Sequence, residues 1–311
     1  MSRIMSFTVS AGVFALTVIA LFAPAQAQTQ ASCQFSTTFN IRFSVGNATR
    51  SLTPRAINDY STVVGDGYDD TNFVEKAFTR WSDGSFSYYQ RNVNGTTLDT
   101  FFNDRNNAGV TIGEAGQLAL GSGNGTPFTL RGPTYTLLTM RIGAMTYKNF
   151  SVSRINRWGT IVGMFKDSSG KLHGFKRYSD GNASALDYPG AVETAATGIN
   201  DNGTVVGWYS KYLPPNEWKH GFIYSNGQWA TLNYPDSKVQ TTVQGISNAN
   251  LIIATTMQGS TSLNSYVYLN GAFKKMVMPN SNVPTYAFGV SLNKGLITGF
   301  SGFKGFIATC K

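Results

Sequence analysis

One pattern recurs along almost the whole chain, and this repeat limits the folds that are open to it. Its clearest copy is GINDNGTVVGWY, Gly198 to Tyr209, in which an Ile-Asn pair precedes a turn and an apolar run that contains a glycine. Six anchor positions mark the copies: Asn58, Asn106, Asn156, Asn200, Ser247 and Ser291. They are 48, 50, 44, 47 and 44 residues apart. Periods of this size are typical of propeller blades and of solenoid coils.

Each copy has the pattern of four short strands. In the fourth copy, Thr194 to Asn200 and Thr204 to Tyr209 flank an Asp-Asn-Gly turn. The stretches His220 to Tyr224 and Gln228 to Tyr234 flank Asn226-Gly227. Asn-Gly between β-branched runs is a strong hairpin signal, because both residues tolerate positive φ. Four antiparallel strands make one propeller blade.

We therefore predict an all-β chain that forms a six-bladed β-propeller of four-stranded blades. The second copy diverges most, between Gly113 and Phe150, so a seven-bladed propeller and an open β-solenoid remain alternatives. The repeats assign residues 28–311 to one propeller domain.

The repeats also resemble a known family. Gly-Ile-Asn-x-x-Gly, the Val-Val-Gly strand, two His-Gly-Phe triplets (His173 to Phe175 and His220 to Phe222) and Leu-Asp-Tyr-Pro-Gly (Leu186 to Gly190) are similar to the bacterial HAF-type extracellular repeat proteins. The resemblance covers most of the chain after residue 27. It implies secretion and a propeller-like repeat, and it implies no catalytic activity.

The N-terminal segment has the features of a secretory signal peptide. Arg3 precedes an apolar run from about Phe7 to Phe22, and Ala25-Gln26-Ala27 is a small-x-small cleavage pattern. We predict cleavage after Ala27, with an uncleaved membrane anchor as the alternative. No other segment is apolar enough to span a bilayer, so we expect a mature protein that is secreted or periplasmic.

The two chain ends are expected to meet. The sixth copy lacks a fourth strand, and Gln34 to Ser44 could supply it and so close the ring. The only two cysteines, Cys33 and Cys310, lie beside the segments that closure brings together. We predict a disulfide between them, with free or intermolecular thiols as the alternative.

Composition argues against several function classes. Charged residues make up 13% of the chain, about half the usual quarter. The net charge of +9 is spread out, with no Lys/Arg run and no basic helix. The sequence therefore predicts no specific nucleic-acid partner and only a weak attraction to anionic surfaces. We expect a monomer.

The chain also offers few groups for catalysis or metal binding. His173 and His220 occupy equivalent repeat positions, which indicates a structural role for both. There is no nucleophile-elbow motif, no close-spaced pair of metal ligands and no phosphate-binding loop. We predict no catalytic residues, no metal and no cofactor.

Loop variation indicates where a ligand could bind. The connections between second and third strands differ in length from copy to copy, and such loops on a rigid scaffold commonly carry function. The candidates on this face are Tyr68, Asp69, Asp70, Asp167, Tyr209, Tyr212 and Trp218. They favour a non-catalytic binding module for a cell-surface or extracellular polysaccharide or protein. The alternative is a propeller-fold glycosidase or lyase, with Asp69 or Asp70 paired with Asp167.

Overall fold

The computed structural model describes residues 29–30, 32–45, 48–69, 74–116, 125–213, 218–258 and 261–310. Every regular element in these ranges is a β-strand. No helix in the described part of the chain is long and apolar enough to cross a membrane. The predicted signal peptide, residues 1–27, lies outside the described residues.

The strands group into six sheets that succeed one another along the chain. Two strands come first: β1 (Thr29–Gln30) and β2 (Cys33–Asn40). Blade 1 contains β3 (Arg42–Val45), β4 (Ala48–Ile57), β5 (Val63–Asp69), β6 (Val74–Arg80) and β7 (Phe86–Tyr89). Blade 2 contains β8 (Arg91–Val93), β9 (Thr96–Arg105), β10 (Val110–Gly116), β11 (Thr126–Arg131) and β12 (Thr134–Leu137). A separate hairpin follows, β13 (Met140–Ile142) and β14 (Met145–Tyr147), and it accounts for the divergent length of the second copy.

The remaining four blades have simpler sheets. Blade 3 contains β15 (Ser151–Ile155), β16 (Ile161–Lys166), β17 (Leu172–Arg177) and β18 (Ala183–Leu186). Blade 4 contains β19 (Glu193–Ile199), β20 (Val205–Ser210), β21 (His220–Ser225) and β22 (Gln228–Thr231). Blade 5 contains β23 (Gln240–Ile246), β24 (Ile252–Gln258), β25 (Thr261–Leu269) and β26 (Ala272–Lys275), with β1 on its outer edge. Blade 6 contains β27 (Thr285–Val290), β28 (Leu296–Ser301) and β29 (Lys304–Cys310), with β2 as its outer strand.

The inner strands of the six blades form a closed ring. These strands are β4, β9, β15, β19, β23 and β27. Each strand contacts the next one, and β27 contacts β4. This confirms the prediction of a six-bladed propeller, so the seven-bladed and open-solenoid alternatives do not hold.

The N-terminal strand closes the ring. Strand β2 pairs antiparallel with β29, from Cys33 opposite Cys310 to Asn40 opposite Lys304. Cys33 and Cys310 form a disulfide with their Cα atoms 4.0 Å apart. The predicted closure and the predicted disulfide are both confirmed.

A close approach between strands explains the glycine in the repeat. A Cβ atom added to Gly207 would lie 2.0 Å from the carbonyl oxygen of Ala195 and 2.8 Å from the ring of Phe222. The absence of a side chain at this glycine therefore allows the inner strand and the buried phenylalanine of the third strand to pack directly against its Cα atom. In four other blades, a Cβ atom added to the equivalent glycine would lie 1.9 to 2.0 Å from the equivalent carbonyl oxygen of its own inner strand. These glycines are Gly65, Gly113, Gly163 and Gly299.

The asparagine anchors join one blade to the next. Asn200 Oδ1 accepts hydrogen bonds from the backbone N–H groups of Asn202 (3.1 Å) and Thr204 (3.0 Å), which shapes its own turn. Its Nδ2 donates to the carbonyl of Ser247 in blade 5 (3.2 Å). Asn106 and Asn156 donate in the same way to the next blade.

A second set of contacts lies on the same turns. The backbone N–H of Asp201 donates a hydrogen bond to Asn248 Oδ1, and Asn248 Nδ2 donates one to Asp201 Oδ2, both at 2.8 Å. Asn248 donates to Asn293 (2.8 Å), and the backbone N–H of Asn293 donates to Asp59 (3.0 Å). Blade 6 is thereby hydrogen-bonded to blade 1 on the turn face as well as through β2.

The anchor contacts predict a large difference between two neighbouring asparagines. We expect Asn200→Ala to lower the free energy of unfolding by about 2–4 kcal/mol, because it leaves the buried N–H of Thr204 and the partly buried N–H of Asn202 without their acceptor and removes the hydrogen bond to blade 5. The exposed Asn202→Ala is the matched control, with an expected change of about 0.5 kcal/mol or less. Urea denaturation measures both. Equal losses in the two variants would contradict the role of the anchor.

The closure predicts a separate effect of the cysteines. With a sequence separation of 277 between the cysteines, the chain-entropy relation gives an upper limit of roughly 5 to 6 kcal/mol for the disulfide. We expect the Cys33→Ser/Cys310→Ser double variant to lose several kcal/mol of that order, and oxidised wild type to match this loss when it is reduced. Unchanged denaturation midpoints would contradict a stabilising closure.

Candidate functional site

A β-bulge recurs at the same place in every inner strand. The pairing of each inner strand with its neighbour skips one residue, three positions before the anchor. A bulge re-aims the side chain of the extra residue. The six residues differ from blade to blade: Arg55, Asn103, Ser153, Thr197, Gln244 and Phe288. All six are half-buried and line one cavity on the axis of the ring.

We call this cavity the central funnel. Its volume is about 430 Å³, within the range of about 300–1,000 Å³ that is usual for small-molecule sites. Its wall includes Ser151, the first residue of its inner strand, and Met164 and Trp208, which lie in the later halves of their second strands and so away from the anchor turns. The funnel therefore opens on the face opposite the anchor turns, where the loops between second and third strands lie.

Arg154 closes the floor of the funnel. Its Nη1 donates to the carbonyl oxygens of Asn103 (3.1 Å) and Ser153 (2.8 Å). Its Nη2 donates to the carbonyls of Arg55 (3.0 Å) and Phe288. All four acceptors are bulge residues, from blades 1, 2, 3 and 6. Beyond Arg154, among the described residues on the anchor side, lies a cavity of about 20 Å³, so the space along the axis narrows sharply at Arg154.

Asp104 supports the charge of Arg154. Its carboxylate accepts hydrogen bonds from the backbone N–H groups of Ile155 (2.9 Å) and Arg105 (2.8 Å). Burial raises the pKa of Asp104, and the nearby guanidinium of Arg154 opposes that rise. Burial likewise lowers the pKa of Arg154, and Asp104 opposes that fall. A buried cation with four carbonyl acceptors and a nearby carboxylate is a satisfied structural group.

Arg55 offers hydrogen-bond donors to the funnel. Its Nε donates to Asp66, and its guanidinium lies 5.9 Å from the ring centre of Phe101. Burial opposes the charge, but Asp66, Glu75 and Glu114 together hold the pKa of Arg55 above its ordinary value. No described residue accepts from its terminal Nη groups, so they remain for a ligand.

Glu114 is the carboxyl group in the funnel wall. Its Oε1 accepts from the backbone N–H of Val152 (3.0 Å) and from Asn103 Nδ2 (3.2 Å). Its Oε2 lies 3.5 Å from Ser151 Oγ, which leaves this oxygen room for a further partner. Burial raises the pKa of Glu114 to about 7, despite these hydrogen bonds and the charge of Arg55.

Apolar side chains form the other part of the wall. Met164 and Trp208 come from blades 3 and 4, and Phe288 comes from blade 6. In a ring of six, blade 4 lies opposite blade 1, so Trp208 is across the funnel from Arg55. Lys219 Nζ lies 4.4 Å from the ring centre of Trp208, which helps to hold the indole in place. Arg55 therefore faces Trp208 across the funnel, and Phe101 of blade 2 and Phe288 of blade 6 add aromatic surface on either side of Arg55.

The residues expected from the sequence to bind a ligand lie elsewhere. Tyr68, Asp167 and Tyr212 belong to the second-strand ends and loops of blades 1, 3 and 4, and none lines the funnel. Tyr212 is 63% exposed and Trp218 is half-buried. Nothing is described for Asp70 or for the side chain of Asp69.

Tyr209 is placed differently from the expectation of an accessible binding residue. It is only 4% exposed, stacks on Tyr188 at 3.6 Å and bonds through its hydroxyl to Thr231 (2.9 Å). Its neighbour Trp208 points to the funnel instead, because successive side chains of a strand alternate between faces.

Asp167 and the two histidines have local structural partners. Asp167 accepts from Ser169 and Lys171 in its own turn, which lowers its pKa. His173 lies between Asp187 (2.7 Å) and Asp167 (3.2 Å), and His220 contacts Asn233 (2.8 Å). In the described ranges, no group of three or more His, Cys, Asp or Glu side chains is placed to hold a metal ion.

The funnel residues were missed, although the repeat carries a signal for them. Three positions before each anchor the residue type changes in every copy. Two positions before it, four copies have glycine or alanine, whereas the second and third have Asp104 and Arg154. When the copies are aligned on their anchors, these variable inward positions stand apart from the repeated structural ones.

Comparisons with known proteins give only distant similarities. No protein-family model matches the chain, and no curated protein matches it. A selenomethionine-substituted virginiamycin B lyase from Staphylococcus aureus aligns with 90% of this chain and 99% of its own, with 8% identity and a TM-score of 0.44. The β-propeller domain of the trilobed protease from Pyrococcus furiosus aligns with 88% of this chain and 80% of its own, with 9% identity and a TM-score of 0.40.

The raised pKa of Glu114 predicts a pH-dependent stability. The folded value of about 7 lies above the ordinary value of 4.5, so the stability contribution of the protonated group is lost as pH rises through 7. We expect Glu114→Gln, which cannot ionise, to gain about 2 kcal/mol relative to wild type between pH 5 and pH 8. Urea denaturation at both values measures the difference. A constant offset between the proteins would show that Glu114 is not protonated in the fold.

Proposed function

We propose that this protein is an exported, non-catalytic binding module whose ligand, an extracellular polysaccharide or protein, enters the central funnel. The observation that supports the proposal is the funnel itself. It is a cavity of about 430 Å³, and its six bulge residues differ in every blade although the turns beside them repeat. Variation at inward positions on a repeated scaffold is what a specific ligand site requires.

A polysaccharide is the ligand that the lining favours. The carboxyl group of Glu114, the amide of Gln244 and the indole of Trp208 all line the funnel. Sugars combine hydroxyl edges with apolar C–H faces, and they suit sites that combine polar side chains with flat aromatic rings. Pockets of this kind bury an apolar part and orient the ligand through a few polar groups.

The glycosidase alternative has less support. Hydrolysis of a glycosidic bond needs two carboxyl groups, about 5 to 10 Å apart, on either side of that bond. Glu114 is the one carboxyl that lines the described part of the funnel, since Asp66 is paired with Arg55 outside the cavity lining. The pairing of Asp69 or Asp70 with Asp167 stays an untested proposal.

An array of microbial and plant polysaccharides tests the proposal. We expect the mature protein, residues 28–311, to be retained on one glycan class at physiological salt. Trp208→Ala should weaken this retention by about tenfold. The control is Trp158→Ala, because Trp158 is 61% exposed on an anchor turn at the opposite face and should not affect binding.

Two results would count against the proposal. Retention on acidic glycans alone, abolished by added salt, would reduce the signal to the net charge of +9. Release of sugar or shortening of the polymer by wild type, lost in Glu114→Gln, would instead support an enzyme.

A further inference from the structure

The funnel is closed at one end, and this limits what part of a polymer can enter it. The guanidinium of Arg154 binds carbonyl oxygens of four of the six blades, with distances of 2.8 to 3.1 Å to Asn103, Ser153 and Arg55. A chain could pass this floor only by displacing the guanidinium and breaking these partly buried hydrogen bonds. A ligand therefore has to enter and leave through the same mouth.

The volume sets a second limit. About 430 Å³ is near the small end of the range for ligand sites and would hold roughly one to two sugar rings. A polymer that lies across the mouth would contact only the rim. To bring an internal sugar unit into the funnel, the chain would have to bend, and the funnel would have to hold the chain segments on both sides of that unit. The end of a chain, in contrast, can reach the residues near the floor without such a bend.

The lining offers a flat apolar surface and hydrogen-bonding groups on opposite sides of the funnel. Trp208 presents a flat apolar surface from blade 4, and Arg55 lies on blade 1 across the funnel. The free Nη groups of Arg55 can donate to a hydroxyl oxygen, and Glu114 Oε2 can accept from a neighbouring hydroxyl. A hexose fulfils both conditions when one face stacks on the indole and its hydroxyl edge points to blades 1 and 2.

The charges favour a neutral sugar over an acidic one. Arg55 is paired with Asp66, and Arg154 is bound to carbonyl oxygens near Asp104. Glu114 adds a carboxyl group to the wall. The described lining of the funnel therefore offers no unpaired cation that would attract the carboxylate of an acidic sugar. A uronic acid at the chain end would lie beside Glu114, which repels its carboxylate above about pH 7, where Glu114 is ionised.

We propose that the funnel binds the end of an extracellular glycan chain, with the terminal neutral hexose held between Trp208 and the wall formed by Arg55 and Glu114. This rests on the proposed function as a glycan-binding module. It adds that the chain end, and not the middle of the chain, is recognised.

The first experiment separates ends from internal units. Maltohexaose and α-cyclodextrin contain the same α-1,4-linked glucose units, but the cyclic molecule has no end. Xylohexaose, mannohexaose and cellohexaose extend the panel to other neutral sugars, and tetragalacturonate is the acidic probe. Binding to the mature protein is measured by calorimetry. We expect one or more linear neutral oligosaccharides to bind, and we expect no binding of α-cyclodextrin or tetragalacturonate.

The second experiment counts ends on the polymer of the class that binds. The polymer is partially hydrolysed to a series of lengths, and the apparent Kd is expressed both per chain end and per sugar unit. A chain-end site predicts a constant Kd per end. A constant Kd per sugar unit would mean internal binding and would overturn the inference while leaving the proposed function in place.

Variants locate the site in the funnel. We expect Trp208→Ala and Arg55→Gln to weaken binding by about tenfold, and Glu114→Gln by several-fold. Trp158→Ala, on the opposite face, is expected to bind like wild type, and circular dichroism shows whether each variant is folded. If Tyr212→Ala, on the outer loop, weakens binding and Trp208→Ala does not, the funnel is not the site. If no linear oligosaccharide and no polysaccharide binds, the glycan function itself fails.

Discussion

The pairing of β2 with β29 is the interaction on which the rest of this molecule depends. The axis has a defined lining only when blade 6 meets blade 1. Arg154 in blade 3 needs the carbonyl of Arg55 from blade 1 and that of Phe288 from blade 6 at once. Opening the ring would remove one of these partners from a buried cation, which is costly. Closure of the outer strand and order at the centre are therefore coupled, although they lie at opposite edges of the blade.

The repeat separates positions that hold the blades together from positions that face the axis. Asn106, Asn156 and Asn200 are identical in type because each makes the same contacts within its own turn and with the next blade. The residue three places earlier makes neither the turn contacts nor the contact with the next blade, because the bulge removes it from the strand pairing. Arg55 and Phe288 occupy this same position with unlike chemistry. The scaffold can keep its stability while the lining changes.

The sequence predicted the architecture well, since a fixed period, tight turns and two terminal cysteines all follow from local chemistry. The site was harder, because a bulge shifts the alternation of inward and outward side chains by one residue. Tyr209 and Trp208 illustrate the problem: adjacent aromatic residues of one strand, of which Tyr209 is buried against Tyr188 and Trp208 reaches the funnel. Composition and loop length do not indicate which of the two aromatic side chains faces the funnel. Only the pairing register of β19 and β20, with its bulge at Thr197, decides it.

The floor of the funnel shows how two changes in a repeat can alter what a propeller admits. Two places before the anchor, four blades carry a small residue, Ala56, Gly198, Gly245 or Gly289. A Cβ atom on Gly198 or Gly289 would lie 2.9 or 2.5 Å from a Cα atom of the next blade, so the inner strands approach closely here. In the two remaining blades, Asp104 and Arg154 bring a carboxylate and a guanidinium to this level. Arginine alone would leave a buried charge with a large desolvation cost, so the carbonyl acceptors and Asp104 are needed together. The result is a floor that cannot be displaced cheaply by a ligand, and a ligand must therefore fit above it.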